Sequence, residues 1–313
     1  MIRAILNPRA GTAAGRAYRA LEQGAGSWRE IEVRVTERRG HARELAQEAV
    51  ERGDPLLLVA GGDGTANEAA RALVGTGTAF ALVPVGSGNG LARTLRIPLA
   101  PARALAALEA GVTRSMDVGL ANQRLFLNVA GAGFDAAVGA AFHERGARGG
   151  RRGVLPYVYL SLTMLFSHET TRFALQADDL RIEGRAFLVG IANGRQYGGG
   201  AVVAPRARLD DGLLDFFVID QAPPLEMLLN APRTFLGAIE GFRRYRHFQA
   251  PRAVLSSPEP FEHHCDGEPE GRTDLLSIEI RPRALRVRVP RASVERPGGP
   301  FGADEGSAGG LIA

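Results

Sequence analysis

The chain of 313 residues is long enough to bury a large core and to form two domains. All 38 basic residues are arginine, so a Schiff-base lysine, a P-loop lysine and a protein-kinase strand lysine are excluded, and the lone Cys265 excludes an intrachain disulfide and a thiolate metal cluster and points to the cytosol. A formal charge of +4 with a pI near 9.8 suits an anionic partner: nucleotide, anionic lipid surface or nucleic acid.

In chain order, "IRAIL" from Ile2 reads as a strand, followed by Asn7-Pro8 and a helix through Leu21. "EIEVRV" is a second strand, with a helix from about Gly40 to Arg52 behind it. "LLLVA" and "AFALVP" are the third and fourth strands, and each runs through a glycine-rich turn into a helix, the later one beginning near Asn89. Strands apolar on both faces and joined by helices predict a parallel sheet covered on both sides, whose ligands gather at the carboxyl ends of the strands. After Gly111 the runs shorten and several alternate apolar with polar, as in "RLFLNVAGAGF", "LRIEGRAFLVGIAN" and "LLSIEIRPRALRVRVP". That pattern predicts an antiparallel β domain with helical insertions near 154–167 and 224–240. The expected division is an α/β nucleotide-binding domain over 1–118, a β-rich domain over 119–292, and a Gly- and Pro-rich tail without fixed structure over 293–313. The N-terminus lacks the apolar core of a signal peptide. The longest apolar run, 154–166, is shorter than the ~20 residues of a span, so no transmembrane segment is expected.

The turn "GGDGTANE", residues 61–68, carries the first functional signal. A strand ending in glycines at a helix start lets backbone N–H groups surround a phosphate, with the helix dipole behind them. A carboxylate there, Asp63, would repel a bare phosphate and makes chemical sense with a divalent cation between, which points to nucleotide with Mg²⁺. The second turn, "PVGSGNGLAR" at 84–93, sits at the same edge of the same sheet. Neither turn has the dinucleotide G-x-G-x-x-G spacing or a P-loop Gly-Lys, and Val85 stands where a nucleophile elbow around Ser87 would need glycine.

Together with these turns, "NPRAG" at 7–11, "VTERRGHA" at 35–42, "NVAGAGFDA" at 128–136, "NGRQYGGG" at 193–200, "RLDDGLLD" at 208–215 and "CDGEP" at 265–269 occur in the order seen in the bacterial diacylglycerol kinase and sphingosine kinase-like lipid kinases. The chain resembles that family over roughly residues 2–290. The resemblance implies an α/β nucleotide-binding domain and an antiparallel β-sandwich domain with the active site between them. It implies transfer of the γ-phosphate of ATP, with Mg²⁺, to the hydroxyl of diacylglycerol or a related lipid. Gly61, Gly62, Asp63, Gly64, Thr65, Ala66 and Asn67 would hold the ATP phosphates, Ser87 would contact them, and Thr36 would help place the nucleotide. Asp63 would orient the catalytic Mg²⁺, and Asp266-Gly267-Glu268 would bring a carboxylate to the lipid hydroxyl. Asp266 and Glu268 would share a face if both lay on a strand, and the choice of base between them stays open. "RLDDGLLD" resembles the family's regulatory Mg²⁺ site, with the Asp211 carboxylate and carbonyls of Arg208 and Leu213 as ligands. One departure is Gly90, where the family often has Asp.

The implied enzyme is cytoplasmic, acts on lipid at a membrane surface and binds no nucleic acid; whether it forms a homo-oligomer stays open. Arg145, Arg148, Arg151 and Arg152 ahead of an apolar, aromatic stretch offer one surface for an anionic bilayer. "HHC" at 263–265 has no partner cluster for a metal. Two alternatives to the lipid kinase are NAD kinase, whose relatives share a "GGDGT" turn, and a catalytically silent sensor of nucleotide or lipid.

Overall fold

The computed structural model describes residues 2–147, 154–168 and 170–302. The first half alternates β1 (Ile2–Leu6), α1 (Ala14–Gln23), β2 (Ile31–Val35), α2 (His41–Glu51), β3 (Leu56–Gly61), α3 (Asp63–Leu73) and β4 (Ala79–Pro84), then α4 (Gly90–Thr94) and α5 (Pro101–Glu109). Its strands lie in the order β2-β1-β3-β4, each pair in parallel register. Every residue of β4 is buried, as a strand covered on both faces requires, whereas no residue of the edge strand β2 is fully buried.

The second half contains β5 (Val112–Ala121), β6 (Arg124–Phe126), β7 (Val129–Gly133), α6 (Phe134–Ala147), α7 (Val154–Leu165), β8 (Thr171–Ala177), β9 (Leu180–Ala192) and β10 (Leu214–Asp220). These are followed by α8 (Pro224–Asn230), α9 (Pro232–Phe235), β11 (Tyr245–Ala250), β12 (Arg252–Cys265), β13 (Glu268–Val289) and the short α10 (Ala292–Glu295). Pairing here is antiparallel, running β11-β10-β9-β7-β12-β13, with β5 on β13 and β8 bridging β9 and β12. The expected helical insertions are α7 and α8–α9. Helices α5 and α6 were not expected: the alanine- and glycine-rich α6 has no apolar stripe to give it away.

Strand β13 ties the halves together. It starts at Glu268 in the second half and ends with Leu285, Val287 and Val289 in the hydrophobic cluster of the first, where Val287 pairs with Phe80 of β4. A second cluster lies among the antiparallel strands. A third, built on Phe187, Phe217, Met227, Ile239 and Phe242, sits beneath α8 and α9 and takes in Leu165 from the end of α7. The stretch after residue 292, expected to be without fixed structure, is packed as far as Gly302. Phe301 is buried in the first cluster, and the Gly302 N–H donates to Asp210. Residues 303–313 lie outside the described residues.

Candidate active site

Strand β3 passes into α3 with Gly62 alone between them. None of Gly61, Gly62 and Gly64 has a positive φ, so the glycines are not there for backbone handedness. They are there for space. A Cβ on Gly61 would lie 2.4 Å from the Thr65 Cβ, and one on Gly86 would lie 2.8 Å from the Gly62 Cα. The two glycine turns therefore pack backbone against backbone. The first N–H groups of a helix have no carbonyl partner within it, which makes the start of α3 suited to an anion.

Asp63 locks this arrangement. Its Oδ2 accepts the Gly90 N–H and its Oδ1 the Leu91 N–H, both at 3.0 Å, so it caps α4 and holds one glycine turn against the other. Burial pushes its carboxyl up, and those amides pull it back. Thr65 accepts a hydrogen bond from Asn7 Nδ2 at 2.8 Å, which brings the "NPRAG" segment to the same edge. Thr36 is buried beside it, its N–H donating to the Leu6 carbonyl, while Ser87 is exposed on the second turn. Ala66 and Asn67 are buried, Ala66 in the first cluster.

The "DGE" segment is a hairpin turn between β12 and β13 and not a strand face. Asp266 and Gly267 both have positive φ, 52° and 82°, as a two-residue hairpin loop demands. The two carboxylates consequently part company. Asp266 turns inward: Oδ1 accepts the N–H groups of Asn128 at 2.9 Å and Val129 at 3.2 Å, and Oδ2 accepts Leu127 N–H at 2.8 Å and Asn67 Nδ2 at 2.7 Å. Burial pushes its carboxyl up, opposed by these donors. Glu268 turns outward: a Cβ on Gly64 would lie 3.3 Å from its Oε1, and its Oε2 accepts from Arg39 at 3.3 Å. One carboxylate is therefore consumed by the protein and the other stands half-exposed over the first turn of α3.

The loop after β9 closes over the second glycine turn. Gly199 N–H donates to the Gly88 carbonyl at 3.1 Å, and a Cβ on Gly198 would lie 3.0 Å from the Gly88 Cα. Asn128 steers that loop, donating to the Gln196 carbonyl at 2.6 Å and accepting from Thr94 at 3.0 Å. Arg208, Asp211 and Leu213 lie on a separate turn before β10. There Asp211 accepts the Leu213 N–H at 3.1 Å, and burial with the like charges of Asp215 and Asp117 pushes its carboxyl up. Among the described residues no group of three or more His, Cys, Asp or Glu side chains converges to hold a metal.

Residues 1–121 match the model of the diacylglycerol kinase catalytic domain, and residues 128–289 match that of the YegS C-terminal NAD kinase beta sandwich-like domain. A Pseudomonas aeruginosa (strain UCBPP-PA14) protein named "Probable lipid kinase YegS-like" is 38% identical over 91% of this chain and 92% of its own length. The chain belongs to the YegS-like lipid kinase family. A relative of the same name from Pseudomonas putida (strain ATCC 47054) is 34% identical over 84% of the chain and 86% of its own. Among solved structures, one described as a diacylglycerol kinase from Bacillus anthracis str. Sterne aligns at a TM-score of 0.71 and 23% identity, over 94% of this chain and 98% of that one, which establishes the fold. Another from that organism aligns at a TM-score of 0.76 and 25% identity, covering 94% and 96%.

The lipid kinase thus has an N-terminal α/β half and a β-sandwich-like C-terminal half, with both glycine turns and the hairpin turn at their junction. Arg39 and Asn128 at that junction were not singled out from the sequence, although both lie within quoted motifs. Their role depends on a crossing between distant segments, Arg39 to Glu268 and Asn128 to Gln196, which local pattern does not encode.

Proposed function

We propose that the kinase transfers the γ-phosphate of ATP to the primary hydroxyl of diacylglycerol or a related lipid, with Glu268 as the base. The observation that carries this reading is the contrast between the two carboxylates: Asp266 is saturated by amide donors, while Glu268 lies over the helix start that would hold the phosphates. In the step, Glu268 takes the hydroxyl proton as the lipid oxygen bonds to the γ-phosphorus. The bond from that phosphorus to the β–γ bridging oxygen breaks, and ADP leaves with the electron pair. The turn of residues 61–65 and Ser87 position the phosphates, whereas Ala66 spends its N–H on the Gly62 carbonyl and Asn67 its side-chain amide on the Leu125 carbonyl and Asp266; Thr36 and Arg39 line the approach, and Asp63 holds both turns in place. On this reading residues 1–118 form the nucleotide domain and 119–292 the lipid domain.

The acidic groups fit Mg²⁺. Burial and the like charges of Asp215 and Asp117 disfavour the Asp211 carboxylate, a cost that a hydrated cation would relieve, and the carbonyls of Arg208 and Leu213 would complete that site; Asp63, held by the Gly90 and Leu91 amides, would orient the cation at the glycine turns. Bound there, Mg²⁺ supplies charge neutralisation.

We propose further that the enzyme is cytoplasmic and meets the bilayer peripherally. No helix among the described residues is long and apolar enough to cross a membrane. Tyr159 and Phe166 on and after α7 are 63% and 69% exposed, and Leu229 and Leu236 on and after α8–α9 are 70% and 79% exposed. Both groups are mounted on the third cluster, and Thr234 of α9 accepts the Val202 N–H at 2.8 Å, which links the apolar surface to the loop over the second glycine turn. Of the arginines expected ahead of α7, Arg145 is exposed at the end of α6, and Arg148, Arg151 and Arg152 lie outside the described residues.

The test is label transfer from ATP with Mg²⁺ to a lipid panel in anionic vesicles, with NAD alongside. Label on a diacylglycerol-class lipid, lost in Glu268→Gln, supports the reading. Label on NAD moves the enzyme to the NAD kinase reading that its C-terminal domain match raises.

A further inference from the structure

Behind the hairpin turn lies a polar cluster in which the buried His264 meets the partly buried Asp135 and Tyr197. His264 is 3% exposed, and its Nδ1 accepts the Gly267 N–H at 3.2 Å. A ring nitrogen that accepts carries no proton, so in the neutral imidazole the proton is on Nε2, which donates to Asp135 Oδ2 at 3.0 Å. The Tyr197 hydroxyl donates to the same oxygen at 2.5 Å, and Asp135 Oδ1 accepts the Ala136 N–H at 2.8 Å. Gly131 leaves the room for this: a Cβ there would fall 2.3 Å from Asp135 Oδ2 and 2.8 Å from His264 Nε2.

The chain of bonds runs Asp135 to His264 to Gly267 and ends one residue before Glu268. Gly267 at φ 82° has little backbone preference of its own, and among the described residues the Glu268 side chain pairs with Arg39, which is 72% exposed. On its other arm the cluster reaches Tyr197, next to the Gly198 that packs on Gly88. One carboxylate therefore links the loop over the second glycine turn to the turn that bears Glu268.

We propose that His264, oriented by Asp135, is a positioning residue for Glu268: its Nδ1 anchors the Gly267 amide and so fixes the direction in which Glu268 leaves the turn. The inference rests on Glu268 acting as the base.

Two near-isosteric replacements separate the two ends of the ring. Asn places its Oδ1 near the position of Nδ1 and keeps an acceptor for Gly267. Gln places its Nε2 near the ring Nε2, keeping the donor to Asp135 and losing that acceptor. The full chain is assayed with ATP and Mg²⁺ on diacylglycerol in phosphatidylglycerol vesicles, and hydrogen exchange is followed at the Gly267 and Glu268 amides. His264→Gln is expected to lose about 10- to 100-fold in kcat, with KM for ATP within about twofold of wild type, because the base is misplaced while the phosphate turns stay intact. His264→Asn is expected to keep most of the rate. The Gly267 amide should exchange slowly in wild type and His264→Asn and fast in His264→Gln. Equal rates in the two variants, or a protected Gly267 amide in His264→Gln, would overturn the proposal and leave His264 a packing residue. The exchange arm needs no acceptor lipid and decides the turn by itself. Glu268→Gln run alongside tells the two readings apart. If it keeps wild-type kcat, the base reading fails; if it loses rate and His264→Gln does not, the positioning inference fails.

Discussion

Replacing Asp266 and Glu268 one at a time should give opposite phenotypes. Asp266→Ala removes the acceptor of three backbone N–H groups and the Asn67 amide, all at 2.7–3.2 Å. A buried donor left unpaired costs ~1–3 kcal/mol, and breaking a buried, charge-assisted network costs about 3–5 kcal/mol in all. For a chain of this size 1 kcal/mol moves the melting temperature by about 2 °C, so Asp266→Ala should melt about 6–10 °C below wild type. Glu268→Gln breaks one ion pair to a 72% exposed arginine, worth about 1 kcal/mol at most, and should melt within about 2 °C of wild type while losing about 10²- to 10⁴-fold in kcat. Differential scanning fluorimetry and label-transfer kinetics on the same preparations read both quantities. An Asp266→Ala protein that melts like wild type but is inactive, beside an active Glu268→Gln, would refute the division of labour and return the base to Asp266.

Gly86→Ala should raise the Kd for ATP about tenfold or more by calorimetry, since its Cβ would press at 2.8 Å on the Gly62 Cα and backbone cannot swing aside. Gly90→Asp, which installs the acid common in the family, should reduce activity here, because a Cβ at 90 meets Asn128 Nδ2 at 2.8 Å and Gly198 N at 3.0 Å; steady-state kinetics that improve would contradict the packing argument. Leu229→Glu with Leu236→Glu should weaken sedimentation with phosphatidylglycerol vesicles at least tenfold, as each buried leucine contributes about 1.5–3 kcal/mol, while leaving the melting temperature unchanged. Burial lowers the His263 pKa below its ordinary 6.5, so the unfolded chain binds the extra proton first and stability falls as pH drops below about 6.5 toward the folded value. Melting curves at pH 7.5 and 5.5 should therefore diverge less in His263→Gln than in wild type.

The sequence by itself determined the alternation of strand and helix to Gly111, because continuous apolar strands and glycine-ended turns are local signals, and the shift to antiparallel strands beyond it. It also placed the two glycine turns at one edge of the parallel sheet, since glycine runs at strand-to-helix junctions are local signals. What glycine does there was decided only in three dimensions: the constraint is the approach of Gly86 to Gly62, not their own dihedral angles. Asp266 and Glu268, two residues apart, could not be told apart while both were imagined on one strand. The left-handed pair at Asp266 and Gly267 turns one carboxylate into the amides of residues 127–129 and leaves the other over α3. Helix α6 and the packed stretch to Phe301 were equally hidden, one by small residues without periodicity and the other because its burial depends on a core built by strands distant in the chain. Local propensity is written along the chain, but the fate of a side chain is set by which remote backbone donors the fold brings to it.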